Sequence, residues 1–170
     1  AKYFRDYVRQ YTDMPMLVRL VKQGDVYVPE RFLRASDFVK GMGEANNPEW
    51  KTVAYDEASG QIVAPNGSIG FRWGEEGKWN LEQRAQGTEA QLRLSQILEG
   101  HHDTVVGVDF PYFGGAATCD FVKCDHPEVL TRNIPARRVT LADGQTALVA
   151  TVFDLFCANY GLDRGLGGKW

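Results

Sequence analysis

Arg138-Val139-Thr140-Leu141-Ala142-Asp143-Gly144-Gln145-Thr146-Ala147-Leu148-Val149 is the stretch on which the fold class turns. Two runs rich in β-formers flank Asp143-Gly144, and an Asp-Gly pair accepts the positive φ angles that a tight hairpin demands. A β-hairpin with Asp143-Gly144 at its tip follows, and with it an antiparallel pairing in this half of the chain. Just downstream, Val152, Phe153, Leu155, Phe156 and Tyr160 recur at helical spacing, so residues 151–160 read as a helix that Gly161 ends.

Upstream, Tyr3, Phe4, Tyr7, Val8 and Tyr11 place an amphipathic helix over the first eleven residues, stopped by Thr12, Asp13 and Pro15. A buried strand over residues 16–21 should follow, then a turn at Lys22-Gln23-Gly24-Asp25. Val26-Tyr27-Val28 is the returning strand, which Pro29 closes. Ser36 is placed to cap a short helix running to Met42, with Gly41 and Gly43 at its end, and Asn46-Asn47-Pro48 marks a loop. Thr52-Val53-Ala54-Tyr55 and Gln61-Ile62-Val63 flank a Gly-containing turn. Gln91-Leu92-Arg93-Leu94, residues 104–108 and Phe121-Val122 are further strand candidates. The expectation is an α+β fold with a mainly antiparallel β-rich middle between helices, forming a lobe of a larger α/β subunit. Along the chain it divides into a helix/strand/helix entry (1–45), a β-rich and loop-rich lobe (46–149) and an exit helix (150–170).

With 44% hydrophobic and 24% charged residues, the 170-residue chain has the composition of a globular domain. Its formal net charge of -3 and the lack of a basic stripe argue against a nucleic-acid partner, which needs clustered cations. The longest mainly apolar run, residues 146–157, falls short of the roughly 20 residues that span a bilayer. No signal peptide is evident at the N-terminus, which lacks an initiating Met. Three cysteines, Cys119, Cys124 and Cys157, are too few for a disulfide scaffold and fit a reducing compartment.

Chemistry-bearing patterns are weak. Cys119, Cys124 and His126, with His101, His102 or Asp103, offer donors that zinc accepts, but one irregular pair replaces the two short paired motifs of a structural site, so reduced thiols are the reading. Cys157 falls on the apolar face of the last helix and belongs to the core. Gly70, Gly74 and Gly77 are glycine-rich without the strand-to-helix context of a dinucleotide fingerprint. Glu75-Glu76 and the Asp103/Asp109 pair read as solvated turn residues rather than tuned acids. Residues 65–84 are distinctive in another way. Trp73, Trp79, Arg72 and Arg84 sit among Gly67, Gly70, Gly74 and Gly77, the composition of a contact loop.

Long strings then carry more information than any short motif. Tyr11-Thr12-Asp13-Met14-Pro15-Met16-Leu17-Val18, Asn46-Asn47-Pro48-Glu49-Trp50-Lys51-Thr52-Val53-Ala54 and Val63-Ala64-Pro65-Asn66-Gly67-Ser68-Ile69-Gly70-Phe71-Arg72-Trp73-Gly74-Glu75 resemble, in order, the α (catalytic) subunit of membrane-bound respiratory nitrate reductases of the molybdopterin oxidoreductase (DMSO reductase) family. So do Gly77-Lys78-Trp79-Asn80-Leu81-Glu82-Gln83, Phe110-Pro111-Tyr112-Phe113-Gly114-Gly115, Leu141-Ala142-Asp143-Gly144 and Ala158-Asn159-Tyr160-Gly161-Leu162-Asp163-Arg164-Gly165-Leu166. The resemblance spans essentially the whole chain.

It implies an internal segment of a subunit that reduces nitrate to nitrite at a molybdenum bis(molybdopterin guanine dinucleotide) cofactor, with one [4Fe-4S] cluster and electrons from quinol. It also implies an iron–sulfur β subunit, a membrane haem γ subunit and a place on the cytoplasmic side of the membrane. The family's cluster and molybdenum ligands belong to sequence upstream, so the segment is expected to carry neither catalytic nor metal-binding residues and to be inactive alone. Its role is then structural support of the cofactor domains, and its terminal helices should expose aromatic surface where the parent covers them. Asn66, Arg72 and Arg84 are the candidates for contact with cofactor or substrate, since guanidinium and amide donors suit anions. The alternative is a free-standing module that holds a small anion or other small ligand on the Trp73/Trp79/Arg72 loop. In the whole enzyme, Arg72→Ala is expected to lose about 1.5–3 kcal/mol of an ionic hydrogen-bonded contact, read as weaker cofactor retention or a raised KM for nitrate. Unchanged molybdenum content, KM and thermal stability would leave Arg72 an ordinary surface side chain.

Overall fold

The computed structural model describes residues 7–9, 12–39, 52–65, 93–110 and 131–159. The expected hairpin is present. Strand β6 (Thr131–Thr140) pairs with β7 (Thr146–Thr151) from Thr140↔Thr146 back to Arg137↔Val149. At the tip Gly144 N–H donates to the Leu141 carbonyl (2.9 Å) and Leu141 N–H to that of Gln145 (2.8 Å), so the loop is Ala142-Asp143-Gly144. Gly144 takes φ 82°, open to glycine without strain, and Gln145 N–H donates to the Asp143 carboxylate at 2.8 Å.

Strand β1 (Leu17–Gln23) turns through Gly24, at φ 61°, into β2 (Val26–Phe32). The returning strand does not stop at Pro29. It continues to Phe32, and the pairing slips by one residue between Leu20↔Pro29 and Val18↔Phe32. Proline has no N–H to give a ladder, and a bulge is where a strand can hold one. Strand β5 (Thr104–Asp109) pairs antiparallel with β6 and parallel with β2 through Tyr27↔Val108, while β7 returns to β1 from Leu17↔Thr151 to Leu20↔Leu148. The circuit β1-β2-β5-β6-β7 closes as a barrel. The short strands β3 (Ala54–Asp56) and β4 (Gln61–Val63) form a separate hairpin around the expected glycine turn, with Gly60 at φ 70°.

Neighbouring side chains of β1 point to opposite sides, and both sides are covered. Val18 and Leu20 join Val108, Ile134, Ala136 and Ala150 in one cluster. Leu17 joins Val139, Ala147 and Val149 in another, covered by Leu33, Ala35 and Val53. The covering segment is fixed by main-chain bonds, Leu17 N–H to Val53 O and Leu33 N–H to Leu17 O, both 2.9 Å. These bonds also correct the short helix. Because Arg34 is held extended by its bridge to Thr52, helix α1 (Ala35–Phe38) starts directly after it, and Ser36 lies inside the helix rather than at its cap. Val39 is already extended, and residues 40–42 lie outside the described ones. The first helix appears at residues 7–9, whereas Gln91, Leu92, Phe121 and Val122 fall outside the description.

Helix α2 (Val152–Asn159) follows β7 without a loop. Thr151 and Asp154 form a reciprocal cap: Asp154 N–H donates to Thr151 Oγ1 (3.1 Å), and Thr151 N–H to Asp154 Oδ2 (3.4 Å). The Thr151 hydroxyl lies 2.6 Å from Asp154 Oδ2 and 2.8 Å from the Gln96 carbonyl, and Leu98 N–H donates to the same carboxylate at 3.1 Å. Leu155, Cys157 and Ala158 face the core, while Phe156 on this helix and Tyr7 near the chain start are exposed at 44% and 57%. Replacing the fully buried Asp154 by Ala removes the acceptor of several donors and is expected to cost about 2–4 kcal/mol in urea unfolding. A loss below about 0.5 kcal/mol would place Asp154 among ordinary surface positions.

Candidate functional site

Two polar regions stand out among the described residues. The first lies where four pieces of chain meet. Arg9, in the first helical turn, donates through Nε to Gln96 Oε1 (3.2 Å) and through Nη2 to both oxygens of Glu57 (3.2 and 3.4 Å). Glu57 opens the β3–β4 turn, whose geometry Asp56 sets by accepting from the amide (3.1 Å) and hydroxyl (2.6 Å) of Ser59. His101 Nε2 stands 3.9 Å from Glu57, its ring 5.5 Å from that of Tyr55, and the Arg137 guanidinium sits 4.8 Å above the Tyr55 ring while donating to the His101 carbonyl. Each charged head here is already committed to a protein partner. The arrangement cements loop 93–103 to the barrel and leaves no base beside a nucleophile.

The second region is an open depression of about 560 Å³ between α1 and the β6–β7 hairpin tip, where Ala142 N–H donates to the Asp37 carbonyl at 2.8 Å. Arg31 grips the Asp37 carboxylate with two 2.8 Å bonds, and Arg34 N–H donates to Asp37 Oδ2 at 2.8 Å. Burial pushes the Asp37 carboxyl up, but the Arg31 hydrogen bonds, the Arg34 N–H and the fields of Arg31 and Arg19 outweigh it and hold the group below its ordinary value. The same Asp37 hydrogen bonds, opposed by burial, hold Arg31 above its own. With Asp143 also in the lining, the two arginines and two carboxylates balance.

Of the donors singled out for a metal, His101 belongs to the first region, Asp103 accepts from Arg138 N–H (2.8 Å) and Nη1 (3.1 Å), and His102 Nδ1 accepts from Gly100 N–H (3.3 Å). Cys157 is buried on α2. Cys119, Cys124 and His126 lie outside the described residues, as do Asn66, Arg72, Arg84, Trp73 and Trp79. Among the described residues no three His, Cys, Asp or Glu side chains converge on a point that could hold a metal, and none of their helices is long and apolar enough to cross a membrane. Sequence reading missed Arg9–Glu57, which joins residues 48 positions apart, and Arg31–Asp37, which the turn from β2 into α1 brings together across six positions. It also passed over Thr151-x-x-Asp154, whose capping-box spacing was visible.

The fold and these two regions define a barrel-centred lobe whose polar groups serve mainly to join its parts. No family model matches the chain. It is 58% identical over 98% of its length to the respiratory nitrate reductase 2 alpha chain of Escherichia coli (strain K12), and 42% identical over 99% to the respiratory nitrate reductase alpha chain of Bradyrhizobium sp. It is 35% identical over 98% of its length to the nitrate reductase alpha chain of Bacillus subtilis (strain 168). Over the stretch it spans, the chain belongs with the alpha chains of respiratory nitrate reductases. That stretch is 13%, 15% and 12% of the length of these three relatives.

A depressed carboxyl stabilises the fold above its unfolded pKa, and that contribution disappears as pH falls through the folded value. Stability from Asp37 is therefore expected to be full above about pH 4 and to fade below it, while Asp37→Asn shows a flatter acid limb. At pH 7 that variant should lose only about 1 kcal/mol, because the pair is partly exposed and solvent-screened. Coincident acid-unfolding curves for the two proteins would remove Asp37 from the account.

Proposed function

We propose that the chain serves as a structural lobe of a nitrate reductase alpha subunit, an enzyme that reduces nitrate to nitrite at a molybdenum bis(molybdopterin guanine dinucleotide) cofactor in anaerobic respiration. The observation that carries this reading is 58% identity to a respiratory nitrate reductase alpha chain across 98% of this chain. In the parent, electrons from quinol pass through a membrane haem γ subunit, an iron–sulfur β subunit and a [4Fe-4S] cluster of the alpha subunit on the cytoplasmic side of the membrane. In such enzymes the metal centre carries the redox step and the protein holds and insulates it. The described residues supply no converging donor set for that centre, so no catalytic step is assigned to them. Their contribution is a packed body with both faces of β1 covered. Residues 65–84 are proposed to meet the cofactor-bearing domains, with Arg72 nearest an anionic group.

The test compares the 170-residue chain with the complete alpha chain that carries it. The complete chain, loaded with cofactor, is expected to reduce nitrate with reduced viologen as donor. The 170-residue chain should show no turnover and no stoichiometric molybdenum or iron by elemental analysis. Turnover or stoichiometric metal in the short chain would overturn the supporting role, and a loaded complete chain inert to nitrate would overturn the activity. The other reading, a free-standing small-ligand or anion module on the Trp73/Trp79/Arg72 loop, predicts saturable anion binding by the short chain that Arg72→Ala abolishes.

A further inference from the structure

The barrel has a second depression, of about 350 Å³, at the end where β1 turns into β2. Its floor is apolar, made from Leu20 of the interior cluster with Leu148 and the Tyr27 ring packed against it. Two cations, Lys22 and Arg138, lie on the Leu20 and Leu148 side of the sheet, Arg19 borders the depression from the other face of β1, and no carboxylate is among the lining residues. This contrasts with the balanced depression beside α1, and it lies on a chain of net charge -3. The cations are differently engaged. Asp103 holds one side of the Arg138 guanidinium (3.1 Å), and Glu30 lies 3.4 Å from Arg19 Nε, whereas Lys22 has no carboxylate within salt-bridge distance among the described residues.

We propose that this end of the barrel is a docking surface for an acidic segment of polypeptide from the remainder of the alpha chain, a carboxylate seating between Lys22 and Arg138 over the Tyr27 ring. The proposal rests on the reading of the chain as part of a nitrate reductase alpha chain. Relatives are several times longer than this chain, which covers 13% of two of them, so most of the polypeptide able to cover the lobe lies outside it. Arg138 is oriented in advance by Asp103, and guanidinium groups so fixed accept carboxylates at small entropic cost. An apolar floor with a cationic rim suits a short stretch that pairs an acidic side chain with an apolar one.

Zero-length carbodiimide coupling joins an amine to a carboxylate only when the two are in contact, so it reads the proposal directly. In the complete, cofactor-loaded alpha chain, peptide mapping is expected to find Lys22 linked to an Asp or Glu outside residues 1–170. Lys22 should also react with acetic anhydride several-fold more slowly than surface lysines, with the protection weakening as ionic strength rises. Lys22→Arg keeps the charge and should abolish the link while leaving nitrate reduction unchanged, and Arg138→Gln should unmask Lys22 to acetylation. Lys22 that acetylates at the surface rate and links to nothing outside residues 1–170 overturns the proposal. So does protection that appears only on adding inorganic phosphate, which would make the surface a small-anion site. Nitrate reduction in the same preparation separates the two levels. An active preparation with unlinked Lys22 sinks the docking surface alone, and a loaded but inactive one sinks the reading of the parent.

Discussion

A carboxylate with no solvent access must find its hydrogen bonds inside the protein, and Asp154 finds them in a way that joins the molecule. Its oxygen Oδ2 takes the Leu98 amide and stands within reach of the Thr151 hydroxyl, while its own amide donates back to that hydroxyl. One side chain thus starts α2, ends β7 and fastens loop 93–103. From Gln96, whose carbonyl faces Thr151, the chain of contacts passes to Arg9 and Glu57, and so to the first helical turn and the β3–β4 hairpin. Removing a partner from such a set leaves buried donors unmet, which costs more than the bond itself contributes.

The barrel depends on a second constraint, the burial of both faces of β1. Leu17 and Val18 point to opposite sides, and each needs its own cover. The inner side is met by β5, β6 and β7. The outer side is met by residues 33–35 and 53, which enter the ladder of main-chain bonds beside Leu17. The short helix α1 is a by-product of that cover, since it begins where Arg34 leaves its bridge to Thr52.

Local chemistry made much of this legible. Asp143-Gly144 placed the hairpin, Gly24 and Gly60 placed two more turns, and the 3.6-residue spacing after Thr151 placed α2. The α+β class with an antiparallel bias was readable from those alone. What failed was governed by distant partners. Pro29 reads as a stop because it lacks an N–H, yet the slipped register opposite Val18 and Leu20 accommodates it. Ser36 reads as a cap because of its hydroxyl, yet a bridge from Arg34 to Thr52 fixed the helix start two residues earlier. The closure of β7 on β1 and the parallel pairing of β2 with β5 have no local signature. The polar regions follow the same division: Thr151 and Asp154 sit three apart and were open to recognition, whereas Arg9 and Glu57 meet only in the fold.

Closing the barrel also sets an order in time. Leu17 pairs with Thr151, so β1 emerges from a ribosome about 130 residues before its second neighbour, roughly 6–26 s at ordinary synthesis rates. During that wait the β1–β2 hairpin presents two open edges and an uncovered apolar face, the condition that favours pairing with other chains. The bulge at Pro29 interrupts one of those edges and twists it away from a flat ladder. A proline that is a local imperfection in the finished barrel is, for the unfinished chain, protection against aggregation.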